Sequence, residues 1–447
     1  MTLKNIHVSM LICIVSSLFV VLKMYTGSNL FLIVFMLLIM TAMLLDKQPH
    51  RVEYLLFFIS WVYVIKFDLT SYSLFVVLSF VYIVVSIMTL IMLNKSISTR
   101  LVFAYMLFGC FAIGATLFNG GNLIEVLGFV LNYSVLFFAV LFIDSNTYFK
   151  RYTYIYATGL LSAAIVRWIS FSVQEIDSFI QSMTIVNTVK TTSALNTRFT
   201  GLDLDPNYFS LQILIAITCL LVLCYYDSKK NIKPIVFIIV LAIFGIFTYS
   251  KMFIITFTAF ILLTFFMFVK NNVKTAVKFA SFIIMICGVM LLFFYEKLFE
   301  IYKFRFFGAG TSTDAITTGR LSRWNMFAAE IFQSTKIFIM GAGFGTSFSH
   351  EKMAHTMYLS TLYYLGIIGI VLVLLYISSL NQVLRQNIGI SRETTFQLFS
   401  INAIPLYIML IANIVLDSFI MDFFPFHIML IMFALTFQKN QESMAGR

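Results

Sequence analysis

Charge is what this sequence has least of. Only 11% of its 447 residues are Asp, Glu, Lys or Arg, against about 25% in a soluble domain, which excludes a water-exposed globular surface. Proline is scarce as well, at 5 residues, so Pro-rich linkers are absent. The five cysteines, Cys13, Cys110, Cys219, Cys224 and Cys287, all lie inside apolar runs. The loops between those runs are therefore expected to hold neither disulfides nor thiolate metal sites. No internal repeat or low-complexity tract is visible. The first apolar run follows Lys4, and no small-x-small cleavage site precedes Lys23, so it reads as a retained span. What remains is apolar: 61% hydrophobic residues with a mean hydropathy of +0.96.

Runs of roughly 17 to 24 apolar residues can cross a bilayer as helices. Fourteen are placed, several of them short: 6–22, 30–45, 52–68, 73–93, 101–118, 123–143, 153–173, 208–226, 234–249, 252–269, 279–295, 357–380, 396–416 and 424–437. The expected fold is all-α, a polytopic integral membrane helix bundle of about fourteen transmembrane helices, with twelve also compatible, forming a single membrane domain over 1–447. An even number of spans puts both termini on one side. That side carries seventeen basic and six acidic residues in short connections, the other twelve basic and thirteen acidic. By the positive-inside rule both termini are expected in the cytoplasm. The net charge of +11 is then a topology signal, and no nucleic-acid partner is needed to explain it.

Two connections on the extracytoplasmic side are long, 174–207 and 296–356. Connections beyond about 15 residues are usually functional or disordered; glycines, arginines and aromatics favour ordered loops here. The first ends in Arg198-Phe-Thr-Gly201-Leu-Asp203-Leu-Asp205-Pro206-Asn207. Asp205 and Pro206 suit an N-cap and first helical position, which leaves Arg198 and Gly201 unexplained. Asp203 and Asp205 also have the spacing of acids that hold a divalent ion for a nucleotide sugar. Nucleotide sugars are not expected outside the cytoplasm, so no metal is assigned. Arg167, inside a span, either snorkels outward or pairs with an acid such as Glu125.

In the second loop, residues 321, 324, 327, 328, 331 and 332 form one apolar stripe at helical spacing, beginning after Gly319-Arg320 and including Arg323 on its polar flank. This predicts an amphipathic helix with Trp324 at headgroup depth. Arg320 gains nothing from the positive helix start, whereas an anion bound there gains from both. Gly341-Ala-Gly343-Phe-Gly345 lacks the spacing of a nucleotide loop and reads as a turn that lets backbone approach a ligand. His350 and His355, five apart, diverge by about 140° on a helix and cannot share a zinc ion. His355 opens the twelfth run, in His355-Thr356-Met-Tyr358…Gly366-Ile-Ile-Gly369. Lys251, between the ninth and tenth runs, is either a snorkelling anchor or a phosphate contact.

In this order and on this side, these segments resemble the O-antigen ligase and polymerase superfamily of bacterial surface-polysaccharide enzymes. The resemblance rests on Arg198, Gly201, Asp205, Pro206 and Asn207, on Ser250 and Lys251, on Gly319, Arg320, Trp324, Gly341 and Gly343, and on His355, Tyr358, Leu359, Gly366 and Gly369. It covers about 195–370. Lys251 stands where the family has Arg, and Thr356 replaces an Asn after the His.

The resemblance implies a GT-C-like bundle in the bacterial inner membrane. It implies metal-independent, inverting transfer, without cofactor, between an undecaprenyl-diphosphate-linked oligosaccharide donor and acceptor, with membrane lipid around the tails. A chain-length regulator and a flippase are partners implied by the family alone. His355 would be the base, since a neutral imidazole can take the proton of an attacking sugar hydroxyl. Arg198, Arg320 and Lys251 would hold the diphosphate, with Gly201, Asp205, Asn207, Arg323, Trp324 and Tyr358 in support. Polymerisation of O-antigen or capsular repeats is the expected function. Ligation to a lipid A core is its sister reading, and a lipid-linked oligosaccharide flippase is the alternative from another class.

Overall fold

The computed structural model describes residues 4–68, 72–183, 188–190, 195–226, 231–281, 283–284, 288, 299, 303, 319–345, 354–390 and 399–437. Its helices are α1 (Lys4–Thr26), α2 (Leu30–Leu45), α3 (Gln48–Phe58), α4 (Leu74–Met92), α5 (Thr99–Phe118), α6 (Leu123–Phe142), α7 (Thr147–Ser170), α8 (Gln174–Met183), α9 (Pro206–Tyr226), α10 (Lys233–Phe247), α11 (Lys251–Asn271), α12 (Arg320–Gln333), α13 (Thr335–Met340), α14 (Met357–Asn387), α15 (Ile404–Ala412) and α16 (Phe424–Thr436). Among the described residues, β1 (Thr188–Lys190) and β2 (Leu195–Thr197) pair as an antiparallel hairpin.

Among the described residues, α1, α4, α5, α6, α9, α11 and α14 are long and apolar enough to cross a membrane. The α7–α8 pair, bent by 119°, makes an eighth if counted as one span, and Leu30–Leu45, Lys233–Phe247, Ile401–Ala412 and Phe424–Thr436 are shorter apolar helices. This is a multi-pass membrane bundle, as expected. One expected span fails: 52–68 becomes the end of α3, a 3-10 turn at Ile59–Trp61 and non-helical turns up to Asp68. Almost every residue from Val52 to Ile65 is buried, so the run is apolar because it faces protein on all sides. The run 279–295 lies mostly outside the described residues, as does His350.

Helix α9 is the central element. Its apolar residues are buried from Tyr208 to Leu223, which suits a helix hydrophobic all round. Around it, buried charges are matched. Glu53, counted above with the loop charges, is fully buried in α3; it pairs with Arg151 of α7, with His50 Nδ1 at 2.9 Å and with the Ser9 hydroxyl at 2.5 Å. Arg167 neither snorkels nor meets Glu125. Its Nη1 pairs with Asp177 of α8 at 2.6 Å and donates to Ser170 at 3.0 Å, with Phe171 4.6 Å beneath the guanidinium. The 119° bend returns the start of α8 to the end of α7, which is why the partner is ten residues away.

The 341–345 glycine segment, expected as a flexible turn that lets backbone approach a ligand, is packed between two neighbours. Within α14, Gly366 has φ 62° and ψ −176°, which breaks the helical ladder and frees carbonyls. Ala342 N–H donates to Tyr363 O at 2.7 Å and Gly343 N–H to Tyr364 O at 3.1 Å. On the other side Phe344 N–H reaches the Thr116 hydroxyl at 3.1 Å, and Asn122 N–H reaches Phe344 O at 2.8 Å. A Cβ on Gly343, at φ +81°, would sit 2.6 Å from Thr116 Cα. Gly343→Ala is therefore expected to destabilise the protein by roughly 2–4 kcal/mol, read as a lower thermal midpoint in detergent. Gly128→Ala, whose Cβ meets open space, is the control expected to leave the midpoint in place.

Candidate functional site

The site assembles at the N-terminal end of α9. Asp205 Oδ1 accepts from Asn207 N–H at 2.7 Å, so Asp205 caps the helix and Pro206 occupies its first turn, as the sequence suggested. Gly201 turns the chain with φ +58°, and a Cβ there would stand 2.4 Å from the Phe209 ring. The turn lays Arg198 along the end of α10, where the buried guanidinium donates through Nε to Thr248 O at 3.1 Å and through Nη2 to Asn207 Oδ1 at 3.2 Å. The same Asn207 oxygen accepts from the Ser250 hydroxyl at 2.7 Å. Ser250 in turn caps α11 by accepting from Phe253 N–H, and Lys251 follows it, partly buried. Two sequence-distant motifs thus meet on one amide.

Asp203 does not face Asp205 as a metal ligand would. Its Oδ1 accepts from Leu204 N–H at 2.6 Å and its Oδ2 from the Gln212 amide. Burial pushes its carboxyl well above the usual carboxylate range. Among the described residues no three His, Cys, Asp or Glu side chains group together as metal ligands.

The other half of the site comes from the second loop and the start of α14. Helix α12 packs through Phe327 and Ile331 onto Tyr363, Ala342 and Ala354, and Glu330 accepts from the Tyr363 hydroxyl at 3.3 Å. The predicted stripe is narrower than expected: Leu321 is 37% and Phe332 68% exposed. Trp324 is partly buried, with its indole N–H buried and unbonded among the described residues. Arg320 opens α12 after Gly319, which supplies a left-handed φ of 76°.

Beyond it, His355 has φ +54°. Among the described residues only Asn94, Tyr249 and His355 are non-glycine residues with positive φ, and the latter two sit at this site, where strain of this kind is often found. The Thr356 hydroxyl donates to Asn413 O at 3.4 Å, and Met357 N–H donates to Asn413 O at 3.1 Å and Leu416 O at 3.0 Å. These bonds hold the backbone at His355 against the 413–418 turn, so Thr356 ties the chain where the family has Asn.

Burial, with the Arg320 and Arg323 guanidinium groups next in effect, holds the His355 imidazole down at about 4, while the Asp205 carboxylate pulls it the other way. The imidazole is therefore neutral at pH 7. Tyr358 was expected in a supporting role. It is 45% exposed, its hydroxyl donates to Leu410 O at 2.9 Å, and it lines an apolar cleft of about 580 Å³ between α14 and α15–α16.

Asp417 was not singled out from the sequence. Its only signal there is position, an acid in the short connection between the last two apolar runs. It is fully buried, neither oxygen accepts a well-formed hydrogen bond among the described residues, and burial raises its carboxyl to about 7 against the opposing effect of the Ser360 hydroxyl. It follows Leu416, whose carbonyl anchors Met357.

Residues 235–374 match a family model described as O-antigen ligase, consistent with the O-antigen ligase and polymerase superfamily and with glycosyl transfer. The match takes in Ser250, Lys251, Arg320 and His355, and stops short of Arg198. No curated protein and no solved structure matches the chain.

Because the fold favours the protonated form of Asp417, its penalty is small below the ordinary carboxylate range and grows as pH rises through about 7. Asp417→Asn should therefore raise the thermal midpoint relative to wild type at pH 8 and leave it nearly unchanged at pH 4. A larger gain at pH 4 would contradict this account of the residue.

Proposed function

We propose that the chain polymerises undecaprenyl-diphosphate-linked oligosaccharide repeat units into O-antigen or capsular polysaccharide at the extracytoplasmic face of the bacterial cytoplasmic membrane, with both termini cytoplasmic. The observation that carries this reading is the neutral His355 within the electrostatic reach of Arg320, Arg323 and Asp205, Asp205 being the cap of the helix whose first turn holds Asn207 against Arg198.

The step is an inverting displacement. An acceptor sugar hydroxyl attacks the donor's anomeric carbon; its oxygen–carbon bond forms as the bond from that carbon to the diphosphate oxygen breaks. The hydroxyl proton passes to the His355 imidazole. Undecaprenyl diphosphate leaves with the bonding electrons, and Arg198 and Arg320 stabilise the charge it gains. Lys251, adjacent to Ser250, supplies a third positive charge without the bidentate fork of an arginine. Positioning and charge complementarity suffice for this chemistry without a metal or cofactor. Arg320, one of the two guanidiniums that bind the leaving group, also depresses the base, so the base is ready for a proton before the acceptor arrives.

The description of the matching family model favours a second reading, ligation of the finished glycan to a lipid A core. Purified protein supplied with lipid-linked repeat units alone distinguishes the two: a ladder of growing chains supports polymerisation, and growth only on adding a separate core acceptor supports ligation. In the same assay His355→Ala should lower the rate by about 10²–10⁴-fold, and Arg198→Ala and Arg320→Ala should reduce it strongly, with chelator leaving all of them unaffected.

A pH profile adds a sharper check. Since His355 gains its proton only near pH 4, the acid limb of the wild-type rate should lie well below the usual imidazole range. Arg320→Gln, with one depressing charge gone, should move that limb upward; a limb that stays in place would separate Arg320 from the base.

A further inference from the structure

At the loop-bearing end of the bundle a second cavity, of about 790 Å³, lies between α4 and α6 and is closed on its inner side by the 419–422 turn. It holds none of the arginines discussed above. Its walls are aromatic, from Tyr63, Tyr72, Phe129, Phe344 and Tyr364, and Phe344 stacks on Tyr364 at 5.3 Å and 9°. Its polar groups are Lys66, Glu125, Asn132 and Asp422. The Asn132 amide donates to Asp422 Oδ1 at 2.7 Å, which fixes both groups. Val77 and Leu127, 43% and 47% exposed, line a lateral mouth on the flanking helices, both of which are long and apolar enough to cross a membrane.

This cavity adjoins the site described above. Tyr63 and Asp422 line it, and Phe423, next in the chain to Asp422, has its ring centroid 5.8 Å from that of Tyr208 in the first turn of α9. Two carboxylates in the lining disfavour a diphosphate. A polyol fits: carboxylate, amide and ammonium groups bond its hydroxyls, and aromatic faces cover its C–H surfaces. The lateral mouth suits a sugar that stays attached to a lipid.

We propose that this cavity is a saccharide subsite, taking the sugar residues of the lipid-linked acceptor whose hydroxyl attacks the donor. This rests on the glycosyl-transfer reading given above, and it assigns the acceptor to the α4–α6 side and the diphosphate to the Arg198–Arg320 side.

Gly128 allows a test that spares the fold. It lines the cavity, and a Cβ there meets nothing within 4 Å, so Gly128→Leu starts into open space and reduces the cavity volume. Tyr72→Ala removes one wall from a residue that is 69% exposed and makes no demand on packing. Both proteins, in nanodiscs, are assayed for binding of oligosaccharides released from the host's own polymer by saturation-transfer NMR, and for transfer at varied acceptor concentration.

The expected result is a rise of about tenfold or more in acceptor KM, with kcat within about threefold, and loss of the saturation-transfer signal in both variants. Unchanged KM and unchanged binding in Gly128→Leu would overturn the subsite while leaving the transfer reading in place. If wild type binds oligosaccharide but transfers nothing, loss of binding in Gly128→Leu supports the subsite and it is the transfer reading that fails.

Discussion

The hydrogen bonds converging on Asn207 Oδ1 are the joint on which the site depends. Arg198 comes from a turn before α9 and Ser250 from the start of α11, and they meet only because one amide oxygen accepts from both. A guanidinium brought out of water carries a desolvation cost of several kcal/mol, which fixed acceptors offset in part. Here Thr248 O and Asn207 hold it in a set direction. Preorganisation of this kind is what transition-state charge stabilisation requires, since a donor that must reorient during the reaction loses much of its effect.

The second constraint is the break in α14. A helix that ran straight through Gly366 would keep the carbonyls of Tyr363 and Tyr364 in its own ladder. With the break they bind the 342–343 backbone, and the second loop gains a fixed attachment to the bundle. The left-handed backbone at His355 belongs to the same economy of backbone bonds: the chain must turn sharply between Ala354 and α14 while Met357 N–H reaches the 413–418 turn.

Much of the fold was legible because bilayer crossing imposes length and apolarity together, so runs such as 101–118 and 208–226 fall on α5 and α9 within a few residues. The run 52–68 failed for a physical reason: burial in protein and burial in lipid select the same residues, and length alone separates them poorly. At the site, the cap at Asp205 and the amphipathic α12 could be read from local patterns, while roles for the residues from Arg198 to Tyr358 came from the resemblance. The partner of the Tyr358 hydroxyl could not be read, because a helical periodicity gives no sign of which neighbour a hydroxyl will find. Asp417, Asp177 as the partner of Arg167, and the polar lining of the α4–α6 cavity depend on contacts between distant segments, and no spacing in the chain encodes them.

The stitching of the glycine segment to the broken helix has a mechanical consequence. Helix α12, the 341–345 segment and the beginning of α14 pack through Phe327, Ile331 and Tyr363 and share backbone bonds, so Arg320 and His355 ride on one stiff lever. Arg198, Asn207 and Ser250 are instead tied together through the start of α9. A substitution that loosens Phe327, Ile331 or Tyr363 therefore disturbs Arg320 and His355 together while leaving the Asn207 junction in place.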